Sequence, residues 1–242
     1  MAQELISPLL PTLSPEQFFS QVQSAHPAVA VFDCDGTLWA GDAGSDFMRW
    51  SMDSGLLSRE ACDWMDARYR AYLRGDVSEL AICGAMVQIY RDLREAELRR
   101  ATHTFFERVI RPRIFPEMLQ LCHQLEAQGV TLWAVSSTNN WLIEDGMKDF
   151  GIPAERVLAA CVRVTNGLIT EEILNVPTDE GKAQSLARAG IAHPDAVFGN
   201  SIHDAAMLAV SQHPFAVNPT SALSERAAAE GWPVFHPKLA HA

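Results

Sequence analysis

Several features that mark particular protein classes are missing from this chain. Its five cysteines are widely spaced and form no CxxC pair, so we expect reduced thiols and a cytoplasmic location. No apolar run approaches the roughly 20 residues of a membrane helix. Met1–Leu5 lacks the basic start of a signal peptide. We therefore predict neither a membrane span nor a secretory signal.

Positive charge is also scarce. Lysine and arginine number 19 against 30 acidic residues, which gives a formal net charge of −11. An acidic surface repels nucleic acid and anionic membranes, so we expect neither as a partner, and no protein partner is evident. A small anionic ligand is not excluded, because a bound divalent cation can invert the local charge. No HExxH motif or Cys/His cluster indicates zinc.

Apolar runs alternate with amphipathic segments over much of the chain. A helix is predicted to begin at Ser14–Pro15, and the apolar run Ala28–Phe32 suits a strand buried on both faces of a parallel sheet. After Pro116 helical and strand-like segments alternate again, and Asn166–Gly167 predicts the turn of a β-hairpin. This alternation predicts an α/β core with a parallel sheet covered on both faces.

Residues 42–113 have a different character. Apolar residues recur there at three- and four-residue spacing, as at Leu80 and Cys83, and no strand-like alternation interrupts them. We therefore predict an all-helical domain of residues 42–113, inserted into an α/β core formed by residues 1–41 and 114–242.

The strongest chemical signal is Asp33-Cys34-Asp35-Gly36-Thr37, directly after the predicted buried strand. Ligands of open α/β sheets bind beyond the carboxyl ends of strands. Two carboxylates close together there favour a hard divalent cation, and Gly36 would let the backbone turn tightly beside an anion. The same residues also fit an ordinary strand-ending turn, since Asp and Gly are common in turns.

Three further segments have comparable positions. Ser136 follows the strand Val130–Val135 and precedes a helix, where a hydroxyl and free N–H groups favour an anion. Lys182 lies in the first turn of a helix, where the macrodipole disfavours it unless a ligand holds it. Asn200 and Asp204 stand four residues apart after another strand, and both can reach a cation. Taken singly, each segment also fits a structural role: a capping serine, a surface lysine and an Asp/Asn-rich turn.

The four segments in this order resemble the haloacid dehalogenase superfamily of aspartate-nucleophile phosphatases, and most of all its phosphoserine-phosphatase-like branch. The resemblance covers Val29 to about Asn218 and includes the helical insert, which that superfamily uses as a cap. It implies a Rossmann-like α/β core with an inserted all-α cap of the C1 type. It also implies a Mg²⁺-dependent phosphomonoesterase that acts on a small phosphorylated metabolite through an aspartyl-phosphate.

The resemblance implies roles for individual residues. Asp33 is similar to the nucleophile and Asp35 to the general acid and base, while Ser136 and Lys182 are similar to residues that hold the phosphoryl oxygens. A halide leaves without a proton whereas an alkoxide needs one, so Asp35 favours a phosphomonoester over a haloacid. The expected ligands of Mg²⁺ and the expected substrate contacts complete the set: Asp33, the Asp35 carbonyl, Asn200 and Asp204 for the metal, and Gly36, Thr37, Asp42 and Ser137 for the substrate.

Asn200 departs from the pattern of the superfamily, which has a metal-binding aspartate at that position. An amide oxygen can bind Mg²⁺ but adds no negative charge. We therefore expect an altered affinity for the metal.

The substrate end departs as well. In phosphoserine phosphatases a cap glutamate and a cap arginine grip the ammonium and carboxylate groups. Asp42 takes the place of that glutamate, but Met86 stands near that of the arginine, and residues 77–90 contain no basic side chain. Phosphoserine is therefore a doubtful substrate, unless Arg74 or Arg91 reaches inward.

Aromatic residues are frequent in and beside the predicted cap. They fit a helix-packing core or, together with Asp42, a cage for an organic cation such as phosphocholine or phosphoethanolamine. The residues concerned are Trp39, Phe47, Trp50, Trp64, Tyr69 and Tyr72. Two other functions stay open: a phosphotransferase, and a catalytically weak protein that binds a phosphorylated ligand.

Overall fold

The computed structural model describes residues 12–239, so the expectation about a signal peptide at Met1–Leu5 lies outside the described residues. The strands are β1 (Thr12–Leu13), β2 (Val29–Phe32), β3 (Thr131–Asn139), β4 (Val157–Thr165), β5 (Leu168–Asn175), β6 (Ala196–Gly199), β7 (His213–Val217) and β8 (Val234–Phe235). The α-helices are α1 (Pro15–Ser24), α2 (Ala43–Asp53), α3 (Arg59–Leu73), α4 (Glu79–Gln88), α5 (Glu95–Phe105), α6 (Pro116–Ala127), α7 (Asn140–Gly146), α8 (Glu180–Arg188), α9 (Ala205–Ala209) and α10 (Ser221–Glu230).

The strands form one sheet in the order β1-β8-β7-β6-β2-β3-β4-β5. Every neighbouring pair is parallel except β4 and β5, which form the predicted hairpin around Asn166 and Gly167. Both turn residues have positive φ, as a tight hairpin turn of this length requires. The prediction of an α/β fold with a mainly parallel sheet is confirmed.

β2 lies in the middle of the sheet, between β3 and β6. Its side chains alternate between the two faces: Ala30 and Phe32 pack into the larger core cluster, and Val31 packs into the smaller one with Val197. All of these side chains are buried. The prediction of a strand buried on both faces is therefore confirmed, and it explains why the run is continuously apolar.

The sequence also located the start of α1 correctly. The Ser14 hydroxyl accepts a hydrogen bond from the Gln17 backbone N–H at 3.3 Å, and the Gln17 side chain accepts one from the Ser14 N–H at 2.9 Å. This reciprocal pair is a capping box, with Pro15 at the first helical position. The helix buries Phe18 and Val22 against the sheet.

The connection from β2 to β3 contains α2 to α5. Every regular element described between residues 43 and 113 is helical, including a π-helical turn at Phe106–Ile110 and a 3₁₀ turn at Arg111–Arg113. The segment after α4 hydrogen-bonds the hairpin: the Asp92 N–H donates to the Ile169 carbonyl at 2.9 Å. We propose that residues 42–113 form a cap domain on a core of residues 1–41 and 114–242.

Two further properties concern the described part of the chain. Among residues 12–239, no helix combines the length and the apolar character that crossing a membrane requires. The five cysteines, all within this range, are free thiols.

Candidate active site

The predicted motifs meet at the carboxyl end of β2. Because β2 is flanked by β3 on one side and β6 on the other, the order of strands reverses here and leaves a crevice at the sheet edge. Asp33 is the first residue after β2, and its backbone N–H donates to the Phe198 carbonyl of β6 at 2.9 Å. Asp33 is thereby fixed at the mouth of that crevice.

Lys182 connects Asp33 to the last motif. Its Nζ donates to Asp33 Oδ1 at 2.7 Å, to Asp204 Oδ1 at 2.5 Å and to the Val135 carbonyl at 3.3 Å. All three charged side chains are buried. The fold thus brings Lys182 into contact with Asp33, 149 positions earlier in the sequence, and with Asp204, 22 positions later.

Two carboxylates share this one ammonium group, so the cluster keeps a negative charge in a buried setting. Burial and the charge of Asp204 raise the pKa of Asp33 to about 7, against the lowering effect of Lys182. Burial lowers the pKa of Lys182, but Asp204 and Asp33 raise it more, so the net shift is upward. Lys182 therefore stays protonated, and a further cation near Asp33 would relieve the repulsion that remains.

Asp35 is held by three donors. Its Oδ1 accepts from the Trp39 indole N–H and the Ala43 backbone N–H, both at 2.7 Å, and its Oδ2 accepts from the Thr138 hydroxyl at 2.8 Å. Burial and the charge of Asp42 raise the pKa of Asp35 to about 6, although these hydrogen bonds lower it. A carboxyl group fixed in one orientation, with a pKa near neutrality, suits proton transfer in either direction.

The two residues after Asp35 lie beneath the cavity. Thr37 is buried, and its hydroxyl donates to Asp33 Oδ2 at 2.9 Å. Gly36 has a φ of +75°, and a Cβ there would lie 1.8 Å from the Asn200 side-chain nitrogen. Glycine is needed because any side chain would displace Asn200. Neither Gly36 nor Thr37 is among the residues that line the cavity, and their contact with a substrate stays a prediction.

Ser136 lies inside a strand, not at the start of a helix as predicted. β3 continues to Asn139, which caps α7 by accepting from the Leu142 N–H at 3.0 Å. The prediction was wrong because the polar run after Val130–Val135 shows no strand-like apolar pattern. Ser136 and Ser137 nevertheless line the cavity.

The carboxylate of Asp204 is fully engaged. Its Oδ1 accepts from Lys182, and its Oδ2 accepts from the backbone N–H groups of Asn200 and Ser201, each at 2.9 Å. We expected Asp204 to bind a metal directly. Because Asp204 is fully buried and does not line the cavity, we infer that it holds Lys182 and the loop carrying Asn200 in place.

The site residues open into one cavity of about 310 Å³ between the core and the helices of the insert. The core contributes Asp33, Asp35, Ser136, Ser137, Thr138, Lys182, Asn200, Ser201 and His203. The residues after β2 and in α2 to α4 contribute Gly41, Asp42, Gly44, Ser45, Tyr69, Tyr72, Glu79, Ile82, Cys83 and Met86. This volume lies at the lower end of the roughly 300–1,000 Å³ typical of small-ligand sites, so the cavity suits a small molecule.

Two acidic residues stand on the insert side of the cavity. Asp42 is the N-cap of α2: its Oδ1 accepts from the Ser45 N–H at 2.8 Å and its Oδ2 from the Ser45 hydroxyl at 2.7 Å. Glu79 accepts from the Tyr72 hydroxyl at 2.6 Å and from the Cys83 thiol at 3.3 Å. The structure thus gives Asp42 a capping role and adds Glu79, which the sequence patterns did not single out.

Of the aromatic residues considered for a cation cage, two line the cavity. These are Tyr69 and Tyr72. Trp39 and Phe47 are fully buried in the core, and Trp64 lines a separate groove. Trp50 packs against the same core, so three of the six aromatic residues serve packing.

Neither arginine considered for a substrate carboxylate reaches the cavity wall. The Arg74 side chain is 63% exposed and pairs with Asp76 at 3.0 Å, and that of Arg91 is 58% exposed and pairs with Glu171 at 3.3 Å. Met86 lines the cavity, near the place where the family resemblance put an arginine. Within residues 12–239, Lys182 and His203 are the basic side chains of the wall.

His203 lies in the 3₁₀ turn Ile202–Asp204. It also lines the cavity, where its Nδ1 lies 2.7 Å from Asp179 Oδ1. Thr138 and Glu79 complete the set that sequence patterns missed. Each resembles an ordinary strand or helix residue, and only the tertiary fold brings it to the cavity.

The donor chemistry of the site fits Mg²⁺. The Asp33 carboxylate, the Asp35 carbonyl and the Asn200 amide supply the hard oxygen donors that this ion prefers. Among residues 12–239, no group of three or more His, Cys, Asp and Glu side chains is arranged to hold a metal by itself. Mg²⁺ needs no such cage, since one or two carboxylates usually bind it together with water and substrate phosphate.

Comparisons with known proteins agree with this geometry. A family model described as haloacid dehalogenase-like hydrolase matches residues 30–209. The chain is similar to a histidinol-phosphatase of Neisseria meningitidis serogroup C (strain 8013), with 25% identity over 219 residues, 86% of this chain and 98% of the relative.

Solved structures show the same fold. A protein of unknown function from Bordetella pertussis Tohama I superposes with a TM-score of 0.77 at 24% identity, over 86% of this chain and 97% of that one. A phosphoserine phosphatase with bound substrate superposes with a TM-score of 0.60 at 15% identity, over 88% of this chain and 94% of that one.

Proposed function

The chain belongs to the haloacid dehalogenase-like hydrolases, and from this we propose that it is a Mg²⁺-dependent phosphomonoesterase that uses Asp33 as its nucleophile. The observation that carries the proposal is the buried contact of Lys182 with both Asp33 and Asp204. This contact holds the Asp33 carboxylate at the cavity in one orientation. Names of similar proteins support the activity, since they include a histidinol-phosphatase and a phosphoserine phosphatase.

In the first step a carboxylate oxygen of Asp33 attacks phosphorus, and the bond from phosphorus to the ester oxygen breaks. Asp35 gives its proton to the departing alkoxide. Lys182 and the Ser136 hydroxyl stabilise the phosphoryl oxygens as negative charge shifts onto them. Attack by a positioned carboxylate replaces one difficult displacement by two easier ones.

In the second step water attacks the aspartyl-phosphate. Asp35, now ionised, takes a proton from that water, and the bond from phosphorus to the Asp33 oxygen breaks. The three donors on Asp35 keep its carboxylate in the same orientation for both transfers. Its pKa of about 6 makes either protonation state accessible near neutral pH.

The residues that would hold Mg²⁺ are Asp33, the backbone carbonyl of Asp35, and Asn200, with Asp204 positioning the loop that carries Asn200. When bound, the ion would neutralise charge on the phosphoryl group and on Asp33. With Asn200 in this set, the ion would have one carboxylate ligand fewer than with an aspartate at position 200.

Phosphate release tests the proposal. We expect p-nitrophenyl phosphate and a panel of metabolite esters, including histidinol phosphate and O-phosphoserine, to be hydrolysed in Mg²⁺ and not in EDTA. Asp33→Asn should lower kcat by about 10³-fold or more, because the amide cannot form the covalent intermediate. Asp63→Asn, at a side chain that is 72% exposed on α3, is the matched control and should keep the wild-type rate. A near wild-type rate for Asp33→Asn would reject the nucleophile.

A further inference from the structure

Glu79 occupies the end of the cavity that belongs to the helical insert. It lies in the first turn of α4 and lines the same cavity as Asp33 and Lys182, which the core contributes. A ligand whose phosphorus meets Asp33 can therefore also contact Glu79. The cavity of about 310 Å³ limits such a ligand to a short one.

The carboxylate of Glu79 is held in place by two hydrogen bonds. Its Oε2 accepts from the Tyr72 hydroxyl and its Oε1 from the Cys83 thiol, and both donors are neutral. The hydrogen bond from Tyr72 raises the pKa of that hydroxyl, as expected beside a carboxylate. His203 Nε2 lies 3.9 Å away, and this ring already contacts Asp179 through Nδ1.

The Glu79 side chain is only 21% exposed and its basic neighbour, His203, is 3.9 Å away, so the desolvation cost of this carboxylate is one that a closer cation would relieve. Of the polar ligand groups that fit beside Glu79, an ammonium group brings both the charge and several N–H donors. The Tyr72 ring beside Glu79 adds a face that tolerates a cation, whereas the Tyr69 ring already has the Arg49 guanidinium 5.4 Å from its centroid.

The same wall is unsuited to a carboxylate of the ligand. Among the described residues, the insert contributes no lysine or arginine to the cavity. Arg49 donates to the Tyr69 hydroxyl at 3.1 Å but is not part of the wall. A ligand carboxylate would face Glu79 and Asp42, which is repulsive, and the His203 ring beside Glu79 already contacts Asp179.

We propose that Glu79 binds the ammonium group of the substrate, and that the substrate is the phosphate ester of an amino alcohol that carries no carboxylate. This inference rests on the proposed phosphomonoesterase function and adds its substrate class. Glu79 acts on specificity and takes no part in bond breaking.

Three esters separate the contributions of the two charged groups. Phosphoethanolamine carries the ammonium alone, O-phosphoserine adds a carboxylate, and ethyl phosphate carries neither. We expect the wild-type kcat/KM for phosphoethanolamine to exceed both others by about tenfold or more. Glu79→Gln should reduce the ratio of phosphoethanolamine to ethyl phosphate by about tenfold, mainly through KM, because the ammonium loses its charged partner.

Glu97→Gln is the matched control, since Glu97 is an exposed acid in the first turn of α5. This variant should leave kcat/KM unchanged for all three esters. Glu79→Asp, which keeps the charge but shortens the side chain, provides a second variant and should give an intermediate ratio. Equal wild-type values, a preference for O-phosphoserine, or an unchanged ratio in Glu79→Gln would overturn the inference while leaving the phosphatase function intact. No turnover of any ester would instead contradict the phosphatase function.

Discussion

At the scale of single residues, the site depends on side chains whose chemistry follows from their place at strand ends. Asp33 and Asp204 could be selected from sequence because each follows a predicted strand, and Lys182 because the macrodipole disfavours a lysine in the first turn of a helix unless a ligand holds it. Glu79 could not, since an acid in the first turn of a helix is common for reasons of the helix dipole alone. Its contact with Tyr72 exists only after α3 and α4 have packed together.

Asn200 leads to a prediction about the metal. Its side chain lies against Gly36, near Asp33, so Asn200→Asp would add a fourth carboxylate close to Asp33, Asp35 and Asp204. We expect tighter binding of Mg²⁺, with the concentration for half-maximal activity falling by about tenfold. In EDTA the variant should have a lower Tm than the wild type, since like charges then repel without compensation.

Titrations of activity and of Tm with Mg²⁺ measure both effects. Asn166→Asp, in the exposed hairpin turn, adds the same negative charge away from the site and is the control. Its activity and Tm should depend on the Mg²⁺ concentration as those of the wild type do. A metal dependence of Asn200→Asp identical to that of the wild type would show that position 200 does not contact the ion.

At the scale of elements, strands and helices with a clear apolar period were predictable, and polar segments were not. β2 and α1 were located from their apolar run and their capping signal. The end of β3 was not, because Ser136 and the residues after it pair with β4 through a register shift that no local pattern records. The consequence for function is that a strand, not a helix N-terminus, presents Ser136 to the cavity.

The capping box of α1 gives an element-scale prediction. Ser14→Ala removes the acceptor for the Gln17 N–H and should lower the free energy of unfolding by about 1 kcal/mol. Ser20→Ala, at an exposed position within the same helix, should leave stability unchanged or slightly raised because alanine favours the helix. Urea unfolding of both variants measures the difference. If Ser14→Ala unfolded with the same free energy as the wild type, the capping box would not contribute to stability.

At the scale of the whole molecule, one sheet edge and one helical insert enclose a common cavity. The alternation of strands and helices predicted the sheet, and the unbroken helical pattern predicted the insert. The distance between them could not be predicted, because it depends on contacts such as that of Asp92 with Ile169 and on the packing of Gly84 against Ile173. Those contacts bring α4, and with it Glu79, over the crevice that holds Asp33.

The central claim is that Asp33 becomes phosphorylated, and trapping that species tests it most directly. In Asp35→Asn the second step lacks its base, so the aspartyl-phosphate should accumulate when the variant is mixed with p-nitrophenyl phosphate and quenched in acid. Fragmentation of the digested peptide by mass spectrometry then locates the phosphoryl group. We predict one phosphoryl group on Asp33, and none there in the Asp33→Asn variant treated in the same way. A phosphoryl group on Ser136, or release of p-nitrophenol with no phosphorylated residue at any quench time, would contradict the account.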